Sequence, residues 1–230
     1  FHYPERGYIY DRKGVLLVTN KRSYNLMIIP RNVKPLDTLE FCKLIDINKD
    51  YFLKRFAKAK KWSRRLPSIF LAHLSKEDYA YLQEKMHKYE GFFIERKLLR
   101  NYPHSSAPNI LGYVNEVNEE TSRKNPYYQA GELIGTTGVE KQYEALLRGK
   151  KGIKYLQRDR FNKIIGPYKS GTFDTLPIPG KDLTLTIDNE LQIYGESLMA
   201  GKRGGIVAIE PSTGEILSLI SMPSYNPNLM

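Results

Sequence analysis

The stretch Arg6-Gly7-Tyr8-Ile9-Tyr10-Asp11-Arg12-Lys13-Gly14-Val15-Leu16-Leu17 determines how the fold begins. Two β-prone runs lie on either side of Asp11–Gly14. This segment has aspartate in its first position and glycine in its fourth, as type I turns prefer. The stretch therefore predicts a β-hairpin, and a further β-rich run from Tyr24 to Ile29 follows it.

The middle of the chain has helical rather than β character. Between about Leu36 and Tyr89, apolar residues recur at spacings of three and four, which is typical of amphipathic helices. Within this region, Ser75 and Asp78 resemble a capping box in which aspartate replaces glutamate. We therefore predict a helix-rich segment in this part of the chain.

The helix with the clearest local signals begins near residue 137. Thr137-Gly138-Val139-Glu140 is a T-x-x-E capping box, and apolar residues up to Leu147 give the helix a buried stripe. Gly149 lies where a glycine commonly ends a helix. Loss of the Thr137 cap is expected to cost about 1 kcal/mol of stability. Gly135–Gly138 could instead cradle a phosphate at a helix start, but this stretch lacks the lysine and the length of a P-loop.

The rest of the chain is rich in β-prone residues. Runs at Ile153–Asp159 and Lys163–Ile165 flank a turn, and Leu183–Ile187 alternates between apolar and polar side chains. The last predicted element is a hairpin. Its first strand, Ile206–Ile209, is nearly all apolar, so we expect this strand to be buried on both faces before Ile216–Ile220 returns. Strands, a helical insert and further strands together predict an α+β fold.

The composition is that of a folded protein with an excess of positive charge. Of the 230 residues, 41% are hydrophobic and 27% are charged, which is ordinary for a globular chain. The net charge of +11 attracts anionic surfaces such as nucleic acid, anionic lipid or acidic polymers. Cys42 is the single cysteine, which excludes a disulfide within the chain, and the four histidines are scattered, so no metal site is expected.

Four stretches resemble class B penicillin-binding proteins, in the order in which that family has them. Residues 6–17 resemble the motif R-G-x-I-x-D-R-x-G-x-x-L, with Val18 and Thr19 where the family often has alanine. The spacing is closest to the cell-elongation member of the family, whereas the septal, cell-division member shares the same motifs. The other three stretches are Tyr102-Pro103 with Ala107 and Leu111–Val114, Gly135–Glu144 with Leu147, Gly149 and Gly152, and Gly205–Leu217 with Ser221–Asn228.

The resemblance implies a serine D,D-transpeptidase that cross-links peptidoglycan and is acylated by β-lactams. The catalytic serine of the family lies in S-x-x-K, which S-x-N and K-[ST]-G follow. No serine of this sequence has lysine three residues later. Only the shorter patterns occur, and such patterns recur by chance: Lys169-Ser170-Gly171, Ser23-Tyr24-Asn25 and Ser224-Tyr225-Asn226. We therefore expect a non-catalytic segment that needs no cofactor or metal, with the nucleophile beyond Met230.

The resemblance also implies a domain organisation. We expect an elongated α+β pedestal with a mixed or antiparallel sheet and an inserted helix-rich head subdomain. The core sheet would combine the N-terminal hairpin with strands between Ile153 and Ile187. The pedestal would comprise residues 1–35 and 131–202, the head residues 36–130, and the start of the transpeptidase domain residues 203–230.

Location and partners follow from the same resemblance. A transmembrane helix ahead of the first motif would anchor the protein in the bacterial inner membrane, with this chain on the periplasmic side. Expected partners are a SEDS-family glycan polymerase, other elongation-complex proteins and peptidoglycan, with a homodimer as a further possibility. Nucleic acid is not expected by resemblance. Two other classes stay open, a basic nucleic-acid-binding module and a free-standing enzyme, but the sequence has no recognised signature of either.

Ten motif residues are expected to have structural roles, and some of them are charged. We hypothesise that the hairpin and the capped helix meet, so that Arg6 and Asp11 form ion pairs across the contact. Breaking a buried pair costs about 3–5 kcal/mol, whereas an exposed pair contributes about 1 kcal/mol or less. The alternative is that Arg12 merely lies at the surface of its turn. The ten residues are Arg6, Gly7, Asp11, Arg12, Gly14, Gly112, Thr137, Gly138, Glu140 and Gly149.

A basic segment from Lys54 to Arg65 holds seven basic residues in twelve. Phe56 and Trp62 could anchor it on a membrane surface or stack on a base. Its simplest interpretation is a solvated helix face whose long side chains cover apolar surface. The alternatives are contact with anionic lipid or an acidic wall polymer and, less readily, with nucleic acid. The residues of this candidate anionic-surface patch are Lys58, Lys60, Lys61, Arg64 and Arg65.

Overall fold

The computed structural model describes residues 1–74, 76–129, 131–160 and 164–229. Its strands, numbered along the chain, are β1 Ile9–Tyr10, β2 Leu16–Ile28, β3 Ser68–Leu74, β4 Phe92–Asn101, β5 Val114–Glu116, β6 Leu133–Gly135, β7 Leu156–Arg158, β8 Ile164–Pro167, β9 Leu183–Thr184, β10 Gly204–Ile209 and β11 Ile216–Met222. Its helices are α1 Thr38–Leu44, α2 Lys49–Trp62, α3 Lys76–Lys85, α4 Pro108–Leu111, α5 Glu119–Lys124, α6 Gly138–Gln142, α7 Glu144–Leu147 and α8 Asn189–Leu198. The mixture of helices and strands confirms the α+β class.

The chain divides into two compact units. Unit 1 comprises Phe1–Asn20 and Arg100–Met230, and unit 2 comprises Lys21–Leu99. The insert predicted from the sequence has different bounds, residues 36–130. The two divisions differ because the long strands β2 and β4 carry the chain into and out of unit 2, so that unit 2 begins before residue 36 and ends before residue 130.

Unit 2 is a small α/β layer with an aromatic core. In it, β2 pairs antiparallel with β3, with Ile28 opposite Ser68, and β4 also pairs with β2. The cap residues Asp37 and Asn48 precede α1 and α2, and their side chains accept hydrogen bonds from backbone N–H groups of the first turn. The packed rings are those of Phe41, Phe52, Phe70, Tyr89 and Phe92.

Two predictions for this region need correction. Residues 36–89 are not all helical, because strand β3 lies between α2 and α3, with Phe70 fully buried in the core of unit 2. The runs predicted separately on either side of Asn20 form one continuous strand, β2. The capping box predicted at Ser75 lies outside the described residues.

Unit 1 is built around the predicted N-terminal hairpin. Ile9 in β1 lies opposite Val18 in the antiparallel partner β2 and opposite Leu183 in the parallel partner β9. The sheet is therefore mixed, as expected. Of the strands expected between Ile153 and Ile187, β9 joins this sheet, but β7 and β8 form a separate two-stranded ladder with mostly exposed residues. The core consists of Ile9, Leu17, Val18, Tyr102, Ala107, Leu111 and Leu147.

The hairpin of β10 and β11 occurs as predicted, but its burial differs. Ile206 lies opposite Ile220 in an antiparallel ladder, and α8 packs against β11. The expectation that β10 is buried on both faces is wrong in this chain, since Val207 and Ile209 are 52% and 57% exposed. In the described residues this hairpin is a sheet of two strands, so β10 has one strand neighbour. No helix within the described ranges is long and apolar enough to cross a membrane.

Candidate functional site

The buried carboxylate of Glu140 is the central group of a hydrogen-bond network in unit 1. The side chain is fully buried at the start of α6. Its Oε1 accepts a hydrogen bond from Nε of Arg100 at 2.6 Å, and its Oε2 accepts from Nε and Nη2 of Arg6 at 2.8 and 2.5 Å. The predicted contact between the hairpin and this helix is therefore present, and Arg6 forms the predicted ion pair across it.

Neighbouring groups complete the network on both sides of Glu140. Asn20 joins the two arginines, because its amide oxygen accepts from Arg100 and its Nδ2 donates to the backbone oxygen of Arg6. Glu144 Oε2 accepts from Nη2 of Arg6 at 2.6 Å and from the backbone N–H of Gly135 at 2.9 Å. Two guanidinium groups thus face two carboxylates. The backbone N–H of Gly135 therefore donates to a carboxylate of the protein itself. This group belongs to the Gly135–Gly138 loop that could have cradled a phosphate.

The charges of the network shift the ionisation of its members. Burial lowers the pKa of Arg100 below its ordinary value, and Glu140 opposes that change. Burial also acts against the charged form of Arg6, but its hydrogen bond to Glu144 and the charge of Glu140 raise its pKa above the ordinary value. For Glu144, burial raises the pKa, but the hydrogen bond and charge of Arg6 outweigh this effect, and the pKa is lowered. Burial raises the pKa of Tyr128, whose hydroxyl donates to Glu144, to about 12.

The predicted capping box at Thr137 is wrong. Thr137 lies at the residue before α6, but its side chain does not accept the capping hydrogen bond. Its Oγ1 is buried and has no hydrogen-bond partner in the described part of the chain. Glu140 does not reach back to Thr137 because its carboxylate is held by the two arginines. The predicted single helix is in fact two short helices, α6 and α7, with Tyr143 between them.

Asp11 has a different partner set from the one predicted. Its carboxylate is fully buried, and Oδ1 accepts from the backbone N–H groups of Lys13 and Val15 at 2.8 and 2.7 Å. Oδ2 accepts from the N–H of Asn189, the first residue of α8, at 3.2 Å. The ion-pair prediction is therefore wrong for Asp11. Its short side chain instead fixes the turn and joins it to the start of α8.

Arg12 lies at the surface but has partners in the last hairpin. Its Nη2 lies 3.5 Å from Glu210 Oε2 and 3.4 Å from Glu215 Oε2, with about a third of the side chain exposed. Pairs this long and this exposed contribute little stability. The neighbouring Lys13 bridges Asp188 and Glu190 at the start of α8.

Two of the predicted glycines mark a close backbone approach. Gly112 and Gly138 have φ angles of 74° and 58°, in the left-handed region. A Cβ on Gly112 would collide with the carbonyl of Thr137, and a Cβ on Gly138 would collide with the carbonyl of Ile110. The loop after α4 and the start of α6 therefore approach each other backbone to backbone. The other predicted glycines are Gly7, packed against the backbone of Lys181, Gly14 in the open turn of the hairpin, and Gly149 after α7.

The short catalytic-looking patterns lie in three separate segments of the chain. Lys169 and Ser170 lie in a turn with positive φ angles, Ser23 is in strand β2 of unit 2, and Ser224 follows β11 of unit 1. Within residues 1–74, 76–129, 131–160 and 164–229 there is no group of three or more His, Cys, Asp or Glu side chains that could hold a metal ion.

The residues of the candidate anionic-surface patch lie in unit 2. Lys58, Lys60 and Lys61 are exposed on the C-terminal half of α2, and Arg64 and Arg65 are exposed in the loop that follows. Phe56, one of the two proposed anchors, packs against the core of unit 2, whereas Trp62 is 63% exposed.

Three residues of the network, Arg100, Asn20 and Glu144, were not among the predicted site residues. Arg100 was not found because it lies outside the four family-like stretches, near the end of strand β4. A signal for Glu144 exists, since Glu140 and Glu144 are four residues apart and so share one helical face. Two carboxylates on a buried helical face need positive charges beside them. The single charge of Arg6 does not neutralise both, so a second cation could have been expected.

The family model and the most similar relatives point to the same protein family. Residues 1–185 match the family model of the penicillin-binding protein dimerisation domain. Peptidoglycan D,D-transpeptidase MrdA of Acinetobacter baumannii is 37% identical over 234 residues, and MrdA of Escherichia coli K12 is 32% identical over 238 residues. Both alignments cover 98% of this chain but 34% and 36% of the relative, so the chain spans about a third of the length of these relatives.

Solved structures give the same result. The complex between penicillin-binding protein PBP2 and MreC from Helicobacter pylori contains a chain that matches 98% of this chain with a TM-score of 0.77 and 26% identity, over 43% of its own length. PBP2 of the same bacterium matches 99% of this chain with a TM-score of 0.68 and 25% identity, over 44% of its own length.

This chain belongs to the penicillin-binding protein dimerisation domain family. The resemblance to class B penicillin-binding proteins is confirmed. The matches favour the PBP2 type, the cell-elongation member, over the septal alternative and over a nucleic-acid-binding module.

Proposed function

We propose that this chain is the non-catalytic pedestal of a peptidoglycan D,D-transpeptidase of the PBP2 type. The observation that carries the proposal is the family match over residues 1–185, together with the similarity to MrdA over 98% of the chain. The protein that carries the chain would cross-link peptidoglycan through a serine nucleophile and bind penicillin. The chain itself has no S-x-x-K sequence, so this chemistry would come from another part of the same polypeptide.

Unit 1 would be the part that holds the catalytic domain. The family match ends at residue 185. The hairpin of β10 and β11 that follows would be the start of the transpeptidase domain. Three charged residues of the first motif contact α8 or the β10–β11 hairpin, which supports this role of unit 1. Asp11 binds the start of α8, Lys13 bridges Asp188 and Glu190, and Arg12 faces Glu210 and Glu215.

Unit 2 would be the head that docks partners of the elongation complex. One solved relative is a complex of PBP2 with MreC, which supports an MreC-type partner. A SEDS-family glycan polymerase, peptidoglycan and a second copy of the chain are further proposed partners. The location that goes with these partners is the periplasmic side of the bacterial inner membrane.

Penicillin acylation tests the enzymatic part of the proposal. Intact-protein mass is measured after incubation with benzylpenicillin, for this chain and for the longer polypeptide that its gene encodes. We expect one acyl adduct on the longer polypeptide and none on this chain. Absence of an adduct on the longer polypeptide, or an adduct on this chain, would contradict the assignment of roles.

Direct binding tests the partner. The periplasmic part of MreC from the same bacterium is immobilised, and binding of this chain is followed by biolayer interferometry at low and high salt. An unrelated basic protein of similar net charge is the control for non-specific attraction. We expect saturable binding by this chain that persists at a salt concentration at which the control no longer binds. Equal behaviour of the two proteins would reject specific docking.

A further inference from the structure

The positive charge of this protein is concentrated in unit 2. Residues Lys21–Leu99 contain 18 of the 36 basic residues and 9 of the 25 acidic residues, so this unit has +9 of the net charge of +11. No acidic residue occurs between Tyr51 and Lys76. The surface of unit 2 near the end of α2 is therefore a region of positive potential without local compensation from the sequence.

Part of this charge lines one surface pocket. The pocket has a volume of about 370 Å³, and its lining consists of Pro30, Arg31, Lys60, Arg64 and Arg65. This volume is within the usual range for small-ligand sites, about 300–1,000 Å³. Four of the five lining residues are cationic and none is acidic, so a ligand of this pocket would be an anion.

Local hydrogen bonds fix the backbone around the pocket. The N–H of Arg31 donates to the carbonyl oxygen of Arg64 at 2.8 Å and so joins the two segments that supply the cations. The hydroxyl of Ser63 accepts from the N–H groups of Arg65 and Leu66 at 3.2 and 3.0 Å, which shapes the turn after α2. Hydrogen bonds therefore hold the backbone segments that carry Arg31, Arg64 and Arg65.

Within the described part of the chain, the four cations have no acidic partner. Among the residues that the structure describes, none of Arg31, Lys60, Arg64 and Arg65 takes part in an ion pair, whereas Lys34 and Lys88 of the same unit pair with Glu90 and Glu40. A favourable interaction with the C-terminal dipole of α2 explains Lys60 in its last turn. It does not explain why Arg31, which belongs to another segment, converges on the same pocket.

Exposed apolar side chains next to these cations favour a lipid surface over a free anion as the ligand. Trp62 and Leu66 alternate in sequence with the pocket residues and are 63% and 53% exposed. Tryptophan and leucine beside basic residues are typical of segments that lie in a membrane interface. We propose that the pocket of Arg31, Lys60, Arg64 and Arg65 binds the phosphate headgroup of an anionic lipid, with Trp62 and Leu66 in the interface.

Vesicle binding tests the proposal directly and independently of transpeptidase activity. The 230-residue chain is sedimented with phosphatidylcholine vesicles that contain or lack phosphatidylglycerol, and the affinity is measured at several salt concentrations. A basic residue near an anionic bilayer contributes about a fivefold change in affinity, so Arg64→Ala with Arg65→Ala should weaken binding about 25-fold. Wild-type chain that does not bind the anionic vesicles would overturn the proposal.

A matched variant separates the pocket from overall charge. Lys54→Ala with Lys58→Ala removes the same charge from exposed positions of α2 that do not line the pocket. This variant should lose much less affinity than the pocket variant. An equal loss in the two variants would show a diffuse charge effect and reject the pocket.

The single tryptophan reports the position of the bound chain. Because Trp62 is the one tryptophan of the sequence, a blue shift of its emission on anionic vesicles is expected if it enters the interface. Inorganic phosphate and a DNA oligonucleotide are the comparison ligands. Binding of phosphate as tight as that of vesicles, without a Trp62 shift, would indicate a free-anion site and reject the lipid. Tighter, salt-sensitive binding of DNA would reject it in favour of nucleic acid.

Discussion

Glu140 and Arg100 are 40 residues apart in sequence, but Nε of Arg100 donates to Oε1 of Glu140 at 2.6 Å, with the two side chains 0% and 2% exposed. Arg6 holds the other oxygen of the same carboxylate. Three distant segments of unit 1 therefore depend on one buried negative charge. Replacing Glu140 or Arg100 leaves a buried charge without this partner, so the network should be sensitive to single substitutions.

The first prediction concerns the loss of the central charge. Glu140→Gln keeps the shape of the side chain but removes the negative charge that pairs with both Arg6 and Arg100. Unfolding by urea, followed by far-UV circular dichroism, should show a loss of about 3–5 kcal/mol. Arg12→Ala is the control, because its exposed pairs at 3.4 and 3.5 Å should contribute about 1 kcal/mol or less. A loss for Glu140→Gln no larger than that for Arg12→Ala would contradict a structural role for the network.

The second prediction concerns pH. The folded pKa of Glu144 lies below its ordinary value of 4.5, although burial opposes this, because Arg6 favours the ionised form. The stabilisation by this carboxylate is therefore fully present above about pH 4.5 and is lost as the pH falls through the folded pKa. The free energy of unfolding should fall less steeply below pH 4.5 in Glu144→Gln than in the wild type. Glu120→Gln, at an exposed position, should follow the wild-type curve, and the idea is refuted if Glu144→Gln does so too.

The sequence predicted the features that depend on neighbours in the chain. The turn at Asp11–Gly14 and the hairpin around it occur as predicted, because the turn preference is set by four consecutive residues. The charged residues of the two family-like stretches, 6–17 and 135–144, also predicted that the hairpin and the helix at Glu140 meet. The pairing of Arg6 with Glu140 confirms that part of the hypothesis.

The features that the sequence did not predict depend on distant contacts. Arg100 is the clearest example, since nothing within ten residues of it explains a buried guanidinium group, and its partners Asn20 and Glu140 lie 80 and 40 residues away. Strand β3 was missed for a related reason. Its apolar residues are as compatible with a helix as with a strand until pairing with β2 decides between them.

The third prediction tests the corrected role of Thr137. Its buried hydroxyl does not cap α6, so Thr137→Val should leave the free energy of unfolding unchanged or slightly raise it, because a buried polar group without a partner is removed. Asp37→Ala is the positive control, since the Asp37 carboxylate accepts from the N–H groups of Leu39 and Glu40 and its loss should cost about 1 kcal/mol. If Thr137→Val costs as much as Asp37→Ala in urea unfolding, Thr137 does cap the helix in solution.

The fourth prediction separates two costs of replacing a glycine. Gly14 and Gly138 both have positive φ angles, 83° and 58°, so alanine at either position carries the backbone strain of the left-handed region, about 1–2 kcal/mol. The surroundings differ, since a Cβ at residue 14 meets open space, whereas a Cβ at residue 138 collides with the carbonyl of Ile110 and the backbone of Gly112. Gly138→Ala should therefore destabilise unit 1 by clearly more than Gly14→Ala, and hydrogen exchange of peptides around residues 108–112 should rise in the first variant alone. Equal losses of stability would mean that the backbone contact between these loops relaxes without cost.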